Sequence, residues 1–74
     1  NQDQELYVKK ALEGLPELTS LVITLYYLEE SSIQEIVEIT DLSESNVKVK
    51  LFRGRKQLKE NLQQLLQHEM KSII

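Results

Sequence analysis

One stretch decides the fold of this chain: SIQEIVEITDLSESNVKVKLFRGRKQL, residues 32–58. It contains two polar helix starts, Ser32 and Ser43, each followed by aliphatic residues at helical spacing. Ser32 with Glu35 has the pattern of a capping box, and Ser43 suits an N-cap three residues before Asn46. The spacing predicts a helix of about two turns, a turn of three to four residues and a second helix, which is the size of a helix-turn-helix.

The flanking sequence predicts an all-α fold, a small helical domain of about four helices. Gly and Pro total three residues, and strict apolar–polar alternation is confined to VKVKL, for which a strand is the alternative. Gly14 is expected to end the first helix and Pro16 to begin the second. The predicted helices span about residues 4–13, 16–28 and 33–39, and a fourth starts at 44.

Aliphatic spacing also predicts which side chains face the core. In the first helix these are Leu6, Ala11 and Leu12, and in the second Leu18, Leu21, Val22, Leu25 and Leu28. In the third helix Ile36 is expected to face inward with either Ile33 or Ile39. Leu42, an apolar residue among the polar residues of the turn, is also expected to be buried.

Length and composition exclude several functions. The chain has 74 residues, no cysteine and one histidine, so it is predicted to form one domain, residues 1–74, without disulfide, metal site or cofactor. No apolar run suits a membrane span or signal peptide, which predicts a soluble, cytoplasmic protein without membrane insertion. The first residue is Asn rather than Met, which suggests a segment of a longer protein.

An enzyme is the weakest interpretation. The acidic residues Glu29, Glu30, Glu35, Glu38 and Asp41 have no His or Cys nearby and no glycine-rich phosphate loop, so no catalytic residue is proposed and a solvated acidic face is favoured. The tyrosines Tyr7, Tyr26 and Tyr27 are expected to edge the core with their hydroxyl groups in water.

Charge is divided sharply along the sequence. Residues 1–47 hold ten acids and only two bases, whereas residues 48–59 hold six bases and no acid. On a helical wheel the apolar stripe of the fourth helix falls within a sector of roughly 80°. This stripe contains Val47, Leu51, Gly54, Leu58, Leu62 and Leu65. The opposite sector contains Ser45, Lys48, Val49, Phe52, Arg53 and Lys56.

That opposite sector has the composition that a DNA major groove requires. Cations suit phosphates and guanine edges, short polar groups suit other base edges, and apolar groups suit thymine methyls. The alternatives are that the basic run is only a solvated helix face, and that Phe52 packs against another segment.

Contacts to DNA phosphates are predicted beside the groove. The amino end of the third helix, Ser32, Ile33 and Gln34, would lie against the DNA backbone in a helix-turn-helix. Lys50 and Arg55 flank the apolar stripe, where they can reach phosphates or pair with acids of the preceding helices.

Residues 11–62 resemble region 4 (sigma-70 region 4 type 2) of bacterial extracytoplasmic-function sigma factors, RNA polymerase subunits that recognise promoters. The resemblance rests on LP before the second helix, EI in the third, and LSESNVKVKLFRGRKQL against the family pattern Ser-x-x-Thr-Val-Lys-x-Arg-Leu-x-Arg-Ala-Arg-x-x-Leu. It implies a helix-turn-helix over about 32–60, with a recognition helix from Ser43 to about Lys59 that enters the major groove of the promoter −35 element. The implied DNA-facing residues are Ser45, Asn46, Lys48, Val49, Phe52 and Arg53.

The resemblance also implies partners. The acidic half would face core RNA polymerase, where the family docks on the flap of the β subunit, or an anti-sigma factor. The chain departs from the family pattern at Asn46, Lys50 and Gly54, where Thr, Arg and Ala are usual, and at Val37, so promoter sequence cannot be copied from a relative.

Two alternatives are a dimeric response-regulator-type transcription factor and a protein-interaction module without DNA binding. Residues 63–74 match no motif. They are predicted to extend the fourth helix or to form a partner-binding surface with Leu65, Leu66, Met70 and Ile73.

Overall fold

Four α-helices form the described part of the chain. The computed structural model gives the backbone of residues 2–73 and the side chains of residues 4–68. The helices are α1 (Gln2–Glu13), α2 (Glu17–Ile23), α3 (Ile33–Thr40) and α4 (Glu44–Ile73), and α2 runs directly into a π-helical turn at Thr24–Leu28. The predicted all-α class is confirmed, and VKVKL is helical. Within the described residues no helix is long and apolar enough to cross a membrane.

The predicted capping box begins α3. The Ser32 hydroxyl accepts from the Glu35 backbone N–H at 3.1 Å, and a Glu35 carboxylate oxygen accepts from the Ser32 N–H at 2.9 Å. Two of the amides that a helix start leaves without partners are therefore satisfied by side chains. These two hydrogen bonds fix where α3, the first helix of the helix-turn-helix, begins.

The turn between α3 and α4 covers residues 41–43. Asp41 adopts the left-handed conformation, with φ of 62°, which Asp tolerates better than most residues. The Thr40 hydroxyl donates to the Ile36 carbonyl at 2.7 Å and accepts from the Leu42 N–H at 3.3 Å. Ser43 then accepts from the Asn46 N–H at 3.1 Å, which is the predicted N-cap of α4.

The core forms where α2, α3 and α4 meet. Its buried residues are Leu15, Val22, Ile23, Ile36, Val47 and Leu51, with Leu12, Leu25, Ile33, Val37, Leu42 and Leu58 partly buried against them. The predicted stripe of α4 faces inward: Val47, Leu51 and Gly54 are buried, and Leu58, Leu62 and Leu65 are half-buried. In α3 the inward partner of Ile36 is Ile33, because Ile39 is exposed.

The predicted buried face of α2 is wrong in part. Leu18, Leu21 and Leu28 are exposed, while Ile23, which was not assigned to the core, is buried. Thr19 and Ile23 face Gly54 of α4, so packing against α4 rather than the row of leucines selects the buried side. The π-helical turn adds to the error. Its hydrogen bonds join residues five apart, which widens the turn and moves the residues after Ile23 off the α-helical spacing.

Gly54 allows α2 and α4 to approach closely. A Cβ at this position would lie 2.9 Å from Ile23 Cδ1, Ile23 Cγ1 and Thr19 Cγ2. The helix crossing therefore accounts for a glycine inside a helix, where it is otherwise unfavourable.

The second half of α4 packs against α1. The Asn61 amide donates to the Ala11 carbonyl at 3.0 Å and its oxygen accepts from the Gln57 amide at 2.9 Å. Ala11 is buried at this contact, whereas Leu6, predicted to lie in the core, is exposed because it lies off this side of α1. Leu65 is half-buried and Leu66 is exposed; the predicted contribution of Met70 and Ile73 lies outside the described side chains.

Candidate nucleic-acid interface

The outer face of the first turns of α4 carries the predicted DNA-contacting residues. All seven side chains are exposed: Ser45, Asn46, Lys48, Val49, Phe52, Arg53 and Lys56. Phe52 is 67% exposed and Val49 is 42% exposed, so neither packs in the core. The two side chains lie three residues apart on one face of the helix, so they form a small apolar patch among cations, which suits a surface that contacts another molecule.

Short polar groups occupy the start of α4. The Ser43 and Ser45 hydroxyl oxygens lie 3.3 Å apart, and Ser43 accepts from the Asn46 N–H. The N-cap hydrogen bond therefore places Ser45 and Asn46 in the first turn of α4, where both side chains are exposed. Both side chains have the hydrogen-bonding groups that read base edges.

The cations of α4 differ in their surroundings. Lys48 Nζ lies 3.1 Å from Glu44 Oε1. Lys50 is half-buried in a groove with Pro16 and Thr19, while Arg55 is exposed. Among the described residues Lys50 and Arg55 have no carboxylate within ion-pair distance, so the predicted alternative, pairing with acids of the preceding helices, is not observed.

The amino end of α3 is partly occupied by its own side chains. The Ser32 N–H is bonded to the Glu35 carboxylate, and this backbone hydrogen bond, followed by that of the Ser32 hydroxyl, lowers the pKa of Glu35. Glu35 therefore stays ionised at neutral pH, and its negative charge opposes an approaching phosphate. The amides of Ile33 and Gln34, which have no side-chain cap, are the donors that remain at this helix start, and phosphate contacts by Ser32, Ile33 and Gln34 stay a prediction.

Two aromatic residues that the sequence did not place at the candidate interface adjoin the outer face of α4. Tyr26 and Tyr27, from the π-helical turn, line one depression together with Lys48, Phe52 and Arg55. Their ring centroids are 4.9 Å apart in an edge-to-face arrangement. A π-helical turn has no clear signal in the sequence, so the spacing alone did not indicate this position.

No group of three or more His, Asp or Glu side chains that could hold a metal ion occurs among the described residues. The face of α4 combines cations, short polar groups and exposed apolar side chains within about three turns. This chemistry suits a polyanion whose edges carry both acceptors and methyl groups, as the DNA major groove does.

Comparison with known proteins agrees with this geometry. The family model described as "Sigma-70, region 4" matches residues 5–58. The chain is 39% identical over 59 residues to the ECF RNA polymerase sigma factor SigM of Bacillus subtilis, an alignment that covers 74% of this chain and 36% of SigM. It is 40% identical over 58 residues to the RNA polymerase sigma factor FliA of Escherichia coli K12 and to that of Salmonella typhimurium, covering 78% of this chain and 24% of each FliA.

The chain therefore spans well under half the length of these relatives. No solved structure matches it.

Proposed function

The chain belongs to the sigma-70 region 4 family, and from this premise we propose that it recognises promoter DNA for an RNA polymerase sigma factor of the extracytoplasmic-function type. In this proposal α3 and α4 form the helix-turn-helix, and the first turns of α4 enter the major groove of the −35 element. The observation that carries it is the exposure of Phe52 and Val49 among the cations of α4.

Exposure of Phe52 favours DNA reading over a merely solvated basic face. A solvated face needs cations and polar groups, but it gains nothing from a phenyl ring of which two thirds is in contact with water. In a major groove the same ring can contact a thymine methyl, while Arg53 donates to the two acceptors of guanine. The proposal therefore explains the apolar and the charged residues together.

The proposed contacts to bases and the proposed contacts to phosphates lie at different positions along α4. Ser45, Asn46, Lys48, Val49, Phe52 and Arg53 lie in the first turns and are proposed to contact base edges. Lys56 lies more than two turns beyond the N-cap and is proposed to contact phosphate, as are Lys50 and Arg55 beside the stripe. Phosphate contacts set the register of the helix, and base contacts set its sequence preference.

Partners other than DNA are proposed for the remaining surface. Leu18, Leu21 and Leu28 are exposed on α2 and the π-helical turn, within the acidic half of the chain. Exposed apolar side chains with acids around them suit a protein partner. We assign this surface to core RNA polymerase, at the flap of the β subunit, or to an anti-sigma factor, in the cytoplasm.

Selection of duplexes from a randomised library, followed by substitution, tests the DNA-reading proposal. The full-length sigma factor in complex with core polymerase should enrich a short motif. Arg53→Ala should cost about 1–3 kcal/mol of binding and relax preference at one base pair. Phe52→Ala should relax preference for a neighbouring thymine and leave the melting temperature nearly unchanged, since the ring is exposed.

Leu66→Ala is the matched control, because Leu66 is an exposed apolar residue of the same helix outside the basic segment. It should leave the motif unchanged. A loss of stability in Phe52→Ala with the motif intact, or no enrichment of any motif by the unmodified protein, would contradict the proposal.

A further inference from the structure

Glu44 is an acid at the first residue of the helix that is proposed to read DNA. Its Oε1 lies 3.1 Å from Lys48 Nζ, and the two side chains are 62% and 59% exposed. The next acid in the sequence is Glu60, four turns further along α4. Glu44 is therefore the carboxylate that shares the first turns of α4 with the proposed base-reading residues.

The position of Glu44 favours this ion pair. An acid four residues before a base is the better orientation for a helical pair, and an acid in the first turn also suits the positive end of the helix dipole. The pair directs Lys48 toward the amino end of α4 and places a negative charge beside its ammonium group.

The pair has opposite effects at a phosphate and at a base edge. To contact a phosphate, Lys48 must leave Glu44 or bring its carboxylate beside the phosphate oxygens, where like charges repel. At a G·C pair the carboxylate can accept from the amino group of cytosine while the lysine donates to guanine. The pair is therefore compatible with a base edge and opposes sequence-independent contact with the backbone.

We propose that Glu44 is a specificity-determining residue that withholds Lys48 from DNA phosphates and thereby weakens sequence-independent binding. The inference rests on the proposed DNA-reading function of α4. It adds to that function an acidic residue that neither the basic run nor the family pattern assigned.

The salt dependence of binding to random-sequence duplexes tests this inference. In Glu44→Gln the freed lysine should add up to one phosphate contact, so the slope of log Kobs against log salt should steepen by up to about 0.9. The affinity of this variant relative to the unmodified 74-residue chain should then rise by up to about eightfold for each tenfold dilution of salt.

Glu60→Gln is the matched control, because it removes the same charge from an exposed position of the same helix beyond the basic segment. Its slope should equal that of the unmodified chain. In the Lys48→Ala background Glu44→Gln should no longer steepen the slope, since no lysine remains to be freed.

The outcomes separate the inference from the function on which it rests. Salt-dependent binding of the unmodified chain with no change in Glu44→Gln would overturn the role of Glu44 alone. Equal steepening in Glu44→Gln and Glu60→Gln would also overturn it, because net charge would then explain the effect. Absence of DNA binding by the unmodified chain and every variant would overturn the proposed function and the inference together.

Discussion

Gly54→Ala should destabilise the fold, although alanine is the better helix former. The substitution gains about 1 kcal/mol of helix propensity. The added Cβ, however, would lie 2.9 Å from atoms of both Ile23 and Thr19, which must move apart. Overpacking of this kind typically costs about 1–3 kcal/mol. We therefore expect a net loss of about 1 kcal/mol, which in a domain of this size lowers the melting temperature by about 4–8 °C.

Thermal unfolding followed by circular dichroism measures this loss in the 74-residue chain. Ile23→Val removes one of the crowding atoms, so the double variant should be more stable than the sum of the two single changes predicts. Gln67→Ala is the control for an exposed position of the same helix and should shift stability by less than about 0.5 kcal/mol. A higher melting temperature in Gly54→Ala would refute the close crossing as the reason for this glycine.

Three further substitutions test other contacts. Lys56→Ala should weaken binding to all duplexes alike and reduce the salt slope by about one unit in fluorescence titrations; a loss confined to particular base pairs would assign it to base reading. Asn61→Ala should lower stability by about 1 kcal/mol in thermal melts, because the Ala11 carbonyl loses its shorter hydrogen bond and keeps only that from the Gly14 N–H at 3.3 Å, and an unchanged melt would contradict this role. The lowered pKa of Glu35 means that its capping box stabilises the fold above its ordinary pKa of 4.5, and that this contribution is lost as pH falls through the lowered value. Lowering the pH should therefore reduce the melting temperature of the unmodified chain more than that of Glu35→Gln. Identical dependence of the two melting temperatures on pH would contradict the stabilising role of the Glu35 carboxylate.

Periodicity was reliable where one helix buries a single regular face. The stripe of α4 from Val47 to Leu65 could be predicted because it repeats over five turns of uninterrupted α-helix. The caps at Ser32 and Ser43 were predictable because their hydrogen bonds are local. Such features depend only on residues that are close in sequence.

Features that depend on contacts between helices were not predictable. In α2 the two leucines are exposed, because the crossing at Gly54 turns Thr19 and Ile23 toward α4 instead. The position of Tyr26 and Tyr27 beside the proposed DNA-facing side depends on a π-helical turn, which spacing rules for α-helices do not anticipate. At the candidate interface the sequence could therefore predict which side chains of α4 are exposed, but not their neighbours from other helices.

The length of α4 links these packing contacts to the proposed DNA-reading residues. Ser45 and Asn61 lie on one continuous helix, about 24 Å apart at 1.5 Å per residue. Asn61 holds the far part of this helix to α1, and Gly54 sets its distance from α2 between the two. Because α4 is uninterrupted α-helix over this length, a shift at either contact would change the tilt at which Ser45 and Lys48 meet a duplex in the proposed complex. Residues that never touch DNA would thus influence its recognition through the orientation of α4, whereas Glu44 would act through the charge of Lys48.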